Sequence, residues 1–455
     1  MTQPVSILGG YQTDFAKVWS RQSQDISDML RESTLGTLEN CRLEAREIGS
    51  IHVGNAFGEL QRKQAHLGAM VGAVVPELWG VPAGRHEGAC ASASLAVLAA
   101  MAEIEAGRYD CVLVLGAEEF KNLAGDVASQ NQNAAGWVGH ERLDCKFLWP
   151  AVFGHMALEY EKRYGLDRKY LNRISEINYG NARKNPLSQT RKWQFNEKCF
   201  SDDDEANPLI EPGTRRQDCD QITDGACGVV LASAQFARAH AEKRGGKLTG
   251  LPQILGWGHR TAGLPYIEKI ERSAGQALIM PHVRDTLDQA FRRAGLADVW
   301  QLDGIETHDC FTTTEYMAID HFGLTPPGQS WQAIEDGIIE PGGKLPINRL
   351  WRTDRLRPSS RRHRRAHAVR RRQASDRSSR ADPGGGCADL RHPQHRRQRR
   401  HRGQLRGRGP RLTHARHAAG NLVDRREKRA TRSICASPPA TRSSTPAARC
   451  ETRPH

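Results

Sequence analysis

Residues 84–107 read GRHEGACASASLAVLAAMAEIEAG, and CVLVL follows at residues 111–115. The alanine- and leucine-rich run predicts a helix over residues 91–106. The uninterrupted apolar run after it predicts a buried strand that ends at Gly116. A strand that follows a helix directly is typical of an α/β layered fold.

The same alternation extends along the chain in both directions from this stretch. We predict further strands at residues 5–8, 51–53, 226–232 and 304–307, and further helices at 25–48, 279–294 and 313–322. The first of these helices has a predicted apolar face of Ile26, Met29, Leu30 and Leu35. Between residues 119 and 219 the sequence turns polar, which predicts an inserted loop domain rather than a layer of the sheet.

The charge of the chain is divided sharply at residue 348. Residues 349–455 hold 30 Arg and one Lys against seven Asp and Glu, whereas residues 1–348 carry a net charge of −10. One interpretation of such a tail is a disordered basic arm that binds nucleic acid. Ordinary basic tails mix Lys with Arg, however, so the near absence of Lys favours a GC-rich gene translated out of frame.

Codon choices that encode residues 356–368 allow this interpretation to be tested. Read one base later, a permitted DNA sequence for this stretch encodes CGHPVGATGV, and residues 386–403 encode a stretch that contains LNIGGS. Leu412 and Thr413 then yield a stop codon. We therefore predict a frameshift near codon 348, which makes the basic tail an artefact and excludes nucleic acid as an expected partner.

Several other classes of protein are not expected. The N-terminus lacks the pattern of a signal peptide, and no stretch approaches the roughly 20 apolar residues of a membrane helix. The cysteines before residue 349 are scattered without a CxxC pair, so Cys219 and Cys227 do not suggest a zinc site. We expect a cytoplasmic protein without a metal.

Cys90 is the first candidate catalytic residue. It lies among small residues at the predicted start of a helix, where free N–H groups and the helix dipole favour a thiolate. A thiolate there is suited to attack a thioester and hold the acyl group covalently. Taken alone, a buried structural cysteine is the more common explanation of such a residue.

His308 and Cys310 form a second candidate site. They lie in GIETHDCFTTTEYMAIDHFGL, after a predicted strand and before a predicted helix, where functional side chains collect in α/β folds. Residues two apart in an extended segment share a face, so both side chains can address one cavity. Residues 308–310 are called the His-Asp-Cys block below.

Four segments resemble the thiolase superfamily, in particular the sterol-carrier-protein type thiolases and the acetyl-CoA acetyltransferase-like proteins. They are VSILGGYQTDF at 5–15, ACASAS at 89–94, TDGACGVVLAS at 223–233 and HDCF at 308–311. HDCF is the most specific, because other thiolases carry an Asn-Glu motif there. The resemblance covers essentially all of residues 1–348 and continues in the shifted frame.

The resemblance implies two similar five-stranded α/β halves with an inserted loop domain. Residues 1–118 and 220–245 would form the N-terminal half, 119–219 the insertion, 246–348 an incomplete C-terminal half and 349–455 the out-of-frame tail. Cys90 would be the nucleophile, His308 would help form the oxyanion hole, and Cys310 would be the acid/base thiol. No bound cofactor is implied, and a coenzyme A thioester is the substrate.

The resemblance also shows what the chain lacks. The family's remaining catalytic His lies in a GHP motif, and Arg357, Pro358 and Ser359 stand where the shifted frame would encode it. We therefore expect the chain as written to be inactive and poorly folded. By analogy, the family implies a homodimer, in some cases with an accessory subunit.

Two alternatives remain open. A thiolase-fold retro-aldolase or lipid-transfer-like protein of lipid or steroid metabolism would keep the fold, with Tyr316 as a possible acid. A non-catalytic, basic-tailed binding protein rests on the tail alone. Lys184, Arg191, Lys192 and His155 are weaker candidates for contacts with substrate.

Overall fold

The computed structural model describes residues 4–243 and 251–349, and the backbone of Ala436–Ser437. Six of its strands form one mixed sheet in the order β3-β2-β4-β7-β1-β8. β2 is parallel to β3 and β4, whereas β7 is antiparallel to β4 and β1. The strands are β1 (Val5–Gln12), β2 (Ser50–Gly54), β3 (Ala83–His86), β4 (Cys111–Glu118), β5 (Leu209–Glu211), β6 (Thr214–Arg215), β7 (Gly225–Ser233), β8 (Gln253–Ile254), β9 (Gly258–His259) and β10 (Ala436–Ser437).

Helices alternate with these strands, which confirms the predicted α/β fold. They are α1 (Ile26–Cys41), α2 (Gly58–Arg62), α3 (Leu67–Val74), α4 (Ser92–Glu105), α5 (Gly125–Gln132), α6 (Leu148–Tyr164), α7 (Lys169–Ala182), α8 (Ala234–Lys243), α9 (Tyr266–Arg272), α10 (Pro281–Ala294), α11 (Thr312–His321) and α12 (Ser330–Glu335). The helix predicted from the opening stretch is α4, and the strand predicted after it is β4.

Helix α1 is shorter than its sequence pattern predicts. Asp25 caps its start, because the Asp25 side chain accepts a hydrogen bond from the Ser27 N–H at 2.8 Å. The helix ends at Cys41, since Arg42 adopts a left-handed backbone conformation with φ of 52°. The predicted continuation to residue 48 is therefore wrong. Leu35 is 39% exposed and does not belong to the buried face.

Strand β4 illustrates how the sheet builds a core on both faces. Val112 and Val114 point to one face, where they pack with residues of α4 such as Ala100. Leu113 and Leu115 point to the opposite face, where the side chains of α1 and α3 cover them. Because both faces are covered, the strand is apolar throughout rather than alternating.

The second half contains less sheet than the first. β8 pairs with β1 and is a sixth strand in a sheet expected to have five. The strand predicted at residues 304–307 is limited to a bridge between Ile305 and Ile347. Within residues 251–349 no second large sheet is present, which agrees with a truncated C-terminal half. Apart from residue 349 and the short strand β10, which pairs in parallel with β9, the proposed tail lies outside the described residues.

The segment 119–219 packs against the second half rather than joining the sheet. Its strands β5 and β6 pair only with each other. Tyr160 on α6 and Ile174 on α7 lie in one apolar cluster with Tyr316 and Ile319 on α11. This packing brings α7 beside the helix that follows the His-Asp-Cys block.

Candidate active site

Cys90 lies in a tight turn immediately before α4. Ala89 has a φ of 49°, a left-handed conformation that costs a non-glycine residue about 1–2 kcal/mol. The Ser92 hydroxyl stabilises the turn by accepting from the Gly88 N–H at 3.1 Å and donating to the Ala89 carbonyl at 2.7 Å. The turn leaves the Cys90 side chain exposed to solvent.

Small residues allow α4 to begin close to the ends of two neighbouring strands. A Cβ atom added to Gly54, at the end of β2, would lie 2.5 Å from the Cα of Ala93. Gly116 on β4 faces the side chains of Ala93 and Cys227. The position of Cys90 relative to the sheet therefore depends on the absence of a side chain at Gly54.

The His-Asp-Cys block leads directly into α11. Its backbone is joined to the end of the inserted segment, because the N–H of Asp220 donates to the carbonyl of Cys310 at 2.9 Å. The side chains of His308 and Cys310 hydrogen-bond to each other, and the Cys310 sulfur lies 3.8 Å from the Thr314 hydroxyl. Cys310 is close enough to Cys90 for the Cys90 charge to raise the Cys310 pKa.

Acidic groups around His308 favour its protonated form. Cys310, followed by Asp309 and Asp220, raises the His308 pKa to about 9, against the opposing effect of burial. Burial raises the pKa of the Cys310 thiol, although the positive charge of His308 opposes this. The pair is therefore suited to hold one proton and to pass it between sulfur and imidazole.

The Cys90 thiol is less acidic than its place before a helix predicts. Although its side chain reaches solvent, surrounding protein displaces water and raises the Cys90 pKa, with further increases from Glu118 and Asp220. These effects outweigh the lowering by a backbone hydrogen bond. These surroundings therefore do not favour the thiolate that was expected from the start of the helix.

Sequence reasoning missed a carboxyl group near Cys90. Glu118, at the end of β4, accepts hydrogen bonds from the backbone N–H groups of Ala56 and Phe57. Burial raises its pKa to about 7, and its other oxygen, Oε2, has no hydrogen-bond partner. Its place at the end of a buried strand was the available signal.

The weaker candidates lie in ordinary structural surroundings. Tyr316 is buried and packs edge-on against the Tyr160 ring. His155 bonds to the Tyr266 hydroxyl at 2.9 Å, and Arg191 forms two hydrogen bonds of 2.8 Å with Asp14. Lys184 and Lys192 are exposed.

The described residues show neither a metal cluster nor a helix suited to crossing a membrane. Across residues 4–243 and 251–349, no three His, Cys, Asp or Glu side chains are grouped to hold a metal. None of the helices in these ranges has the length and apolar character that a bilayer crossing requires. Arg357, Pro358 and Ser359 lie outside the described residues.

Two family models match the chain, one before and one after the end of the inserted segment. Residues 5–199 match the thiolase N-terminal domain, and residues 268–350 match the thiolase C-terminal domain-like family. The chain belongs to the thiolase superfamily.

Relatives with known names agree with this assignment. The chain is 27% identical over 356 residues to an acetyl-CoA acetyltransferase of Methanothermobacter thermautotrophicus, which covers 76% of this chain and 83% of the relative. It is 25% identical over 357 residues to sterol carrier protein 2 of Gallus gallus, which covers 76% of this chain and 61% of the relative.

Solved structures support the fold. The Ltp2-ChsH2(DUF35) aldolase matches with a TM-score of 0.59 and 17% identity, over 76% of this chain and 84% of that chain. The Acat5 thiolase of Ascaris suum in complex with coenzyme A matches with a TM-score of 0.53 and 16% identity, over 71% and 85%.

Proposed function

We propose that this chain is by family a thiolase-type acyl-CoA acyltransferase, whose reaction proceeds through an acyl intermediate on Cys90. The observation that supports this most directly is the convergence of Cys90 with the hydrogen-bonded pair of His308 and Cys310. The acetyl-CoA acetyltransferase relatives agree with it. A coenzyme A thioester would be the substrate, with no bound cofactor.

The first half-reaction forms the acyl-enzyme. The Cys90 sulfur attacks the thioester carbonyl, its carbon–sulfur bond forms as the bond to coenzyme A breaks, and coenzyme A leaves as a thiol with the proton from Cys90. His308 would donate to the oxygen on which charge develops. A protonated imidazole, favoured by its acidic neighbours, is suited to that role.

The second half-reaction forms a carbon–carbon bond. The Cys310 sulfur removes the alpha-proton of a second acyl-CoA, and the resulting carbanion attacks the acyl-Cys90 carbonyl. The bond between Cys90 and the acyl group then breaks, which releases a β-ketoacyl-CoA. The reverse sequence cleaves the same product.

We further propose that the chain as written does not complete this cycle, because a frameshift near codon 348 removes the GHP histidine. The family match ends at residue 350, which supports a break at this point. Loss of the base costs on the order of 10²–10⁴ in rate. Loss of an oxyanion donor in the missing strands costs roughly 10²–10³ more.

A thiolase-fold retro-aldolase or lipid-transfer-like activity is the second candidate. It is favoured by the structural match to the Ltp2-ChsH2(DUF35) aldolase and by the sterol carrier protein 2 relatives. Such an enzyme would cleave a carbon–carbon bond without an acyl-cysteine. Trapping of an acyl group on Cys90 therefore separates the two candidates.

The partners and location remain part of the proposal. We propose a homodimer, with an accessory subunit as a further component by analogy with the aldolase of Ltp2 and ChsH2(DUF35). We also propose a cytoplasmic location.

Resequencing codons 345–415 and assaying both chains tests the proposal. We expect one extra or missing base, and a frame-restored chain that cleaves acetoacetyl-CoA in the presence of coenzyme A. Cys90→Ser in that chain should lower kcat by at least about 10³ and abolish acylation detected by mass spectrometry. Cys145→Ser, which changes a free thiol in the inserted segment, is the matched control.

Turnover by the purified 455-residue chain would contradict the predicted loss of activity. Turnover of an aldol substrate without acylation of Cys90 would instead support the aldolase candidate. If the frame is confirmed as written, the chain is an inactive member of the superfamily and its basic tail is a genuine feature.

A further inference from the structure

A buried hydrogen-bond network lies next to the His-Asp-Cys block. Glu315, in the first turn of α11, is fully buried, and its Oε2 accepts from the Asn178 amide at 2.7 Å and the Asn348 amide at 2.8 Å. The same Asn178 nitrogen donates to Oδ2 of Asp309 at 3.1 Å. One carboxyl group thus joins α7 of the inserted segment, α11 and the end of the second half.

Asn348 extends this network to the backbone just before the block. Its side-chain oxygen accepts from the Thr307 N–H at 2.8 Å, and its own N–H donates to the Ile305 carbonyl at 2.9 Å. Asn348 has a left-handed φ of 47°, a conformation that asparagine tolerates better than most residues. The residues before the block are therefore fixed by the same asparagine that binds Glu315.

A carboxyl group is a costly choice for this position if packing is its only role. Glu315 Oε1 and Asn178 Oδ1 are both buried without a hydrogen-bond partner. Two acidic residues, Asp309 and Glu306, also face Glu315, and their charges oppose its ionisation. An apolar side chain of similar volume would remove the unpaired Glu315 Oε1 and the repulsion, but it would leave the Asn348 amide without this acceptor and the Asn178 amide with Asp309 alone.

We propose that Glu315 is a positioning residue of the acyl-transfer site. By accepting from the amides of Asn178 and Asn348, it fixes the block on both sides, through Asp309 and through the backbone of Thr307. This holds the Cys310 sulfur in contact with the His308 imidazole. The inference rests on the proposed function, because that function assigns the block its role.

The pH dependence of Cys310 alkylation tests this role without requiring turnover. The full 455-residue chain is treated with iodoacetamide across a range of pH, and modification of each cysteine is followed by peptide mass spectrometry. Contact with His308 lowers the pKa of Cys310, so loss of the contact should move the midpoint of its profile upward. We expect an alkylation rate at least about threefold lower at a fixed pH below the midpoint.

Three variants and a control distinguish positioning from general stability. Glu315→Leu and Asn178→Ala remove the acceptor and the bridging donor, and both should raise the Cys310 midpoint. Glu315→Gln keeps an oxygen that accepts from both amides, so it should retain the wild-type midpoint. Asn172→Ala is the matched control, since this residue of α7 binds Asp202 away from the block and should leave the midpoint unchanged.

The outcomes separate clearly. Wild-type midpoints in folded Asn178→Ala, or in folded Glu315→Leu, would overturn the proposal. A shift in Glu315→Gln as large as in Glu315→Leu would also overturn it, because the charge of Glu315 rather than its hydrogen bonds would then act on Cys310. Circular dichroism identifies variants that fail to fold, and Asn178, which is only half-buried, keeps the test valid if Glu315→Leu does so.

Failure of the proposed function gives a different result. Acylation of Cys90 by acetoacetyl-CoA is measured in parallel on the frame-restored chain. If Cys90 is never acylated while the Cys310 midpoints follow the expected pattern, the positioning role stands and the acyltransferase assignment is wrong.

Discussion

Buried carboxyl groups dominate the electrostatics around Cys90 and Cys310. Glu118 has a pKa of about 7, Asp309 of about 7 and Glu315 of about 8, with burial as the largest cause in each case. Their negative charges, when present, oppose formation of thiolates. Carboxyl groups with pKa values of about 7 to 8 and an imidazole with a pKa of about 9 thus surround the two thiols, an arrangement suited to proton transfer near neutral pH.

Glu315→Gln should stabilise the protein increasingly as the pH rises. The folded-state pKa of Glu315, about 8, is raised above its ordinary 4.5, so its contribution to stability is complete below pH 4.5 and is lost as the pH rises towards 8. Glutamine does not titrate. The advantage of the variant should therefore grow between these pH values, to on the order of a few kcal/mol, and then level off.

Urea unfolding of both proteins between pH 5 and pH 9 measures this difference. A constant difference across that range would show that Glu315 does not titrate as its surroundings indicate. Asp309 lies next to Glu315 and its titration is affected by the Glu315 charge, so Asp309→Asn is made in both backgrounds to measure this coupling.

The residues that the sequence alone singles out differ in kind from those that it misses. Cys90 and the block stand in local patterns, a small-residue turn before a helix and a segment after a strand. Glu118 and Glu315 resemble any other acidic residue in the sequence. Their burial arises from contacts with residues far away in the chain, such as those of Glu315 with Asn178 and Asn348. Such long-range contacts leave no local pattern to detect.

At the scale of elements, the position of α4 is set by how closely it approaches the sheet. Apolar runs predicted both α4 and β4, because continuous burial gives a strong sequence signal. The end of α1 was mispredicted, since Arg42 carries no glycine-like signal for its left-handed conformation. Predicted boundaries were thus least accurate where backbone conformation, rather than hydrophobicity, determines the residue at which a helix ends.

Gly54→Ala should displace α4 and reduce stability. The added methyl group would lie 2.5 Å from the backbone of Ala93, so the helix or the strand must move. Overpacking of this kind typically costs about 1–3 kcal/mol. We expect that loss in urea unfolding, together with a changed rate of Cys90 alkylation.

Gly84→Ala is the matched control for this substitution. Gly84 lies on the neighbouring strand β3, and its added methyl group would approach only the His86 side chain, at 3.9 Å. Equal stability losses in the two variants would contradict the role of close helix–strand approach.

At the scale of the whole molecule, charge divides the chain more sharply than structure does. The net charge of −10 before residue 349 contrasts with +24 after it. The thiolase resemblance accounts for the first part alone. The sheet of the second half was expected to be incomplete, and residues 251–349 contain only β8, β9 and the bridge at Ile305.

Binding of the full chain to heparin should come from residues 349–455 alone. A chain ending at Asn348 should pass through a heparin column at low salt, whereas the full chain should be retained and elute only as the salt concentration rises. An anion-exchange column, which has a cationic matrix, tests the opposite charge. It should retain the shorter chain and let the full chain pass through. Retention of the shorter chain on heparin would contradict the prediction.

Asn348 is both the last residue of the acidic region and a hydrogen-bonding partner of Glu315. Every described contact that holds the block in place is therefore made by residues up to this point. Under the proposed frameshift, the segment that it removes is a separable component, and a polypeptide with the restored sequence, supplied in trans, should dock onto the first 348 residues. Catalysis would in that case become a binding equilibrium between two fragments, with a rate that saturates as the second fragment is added.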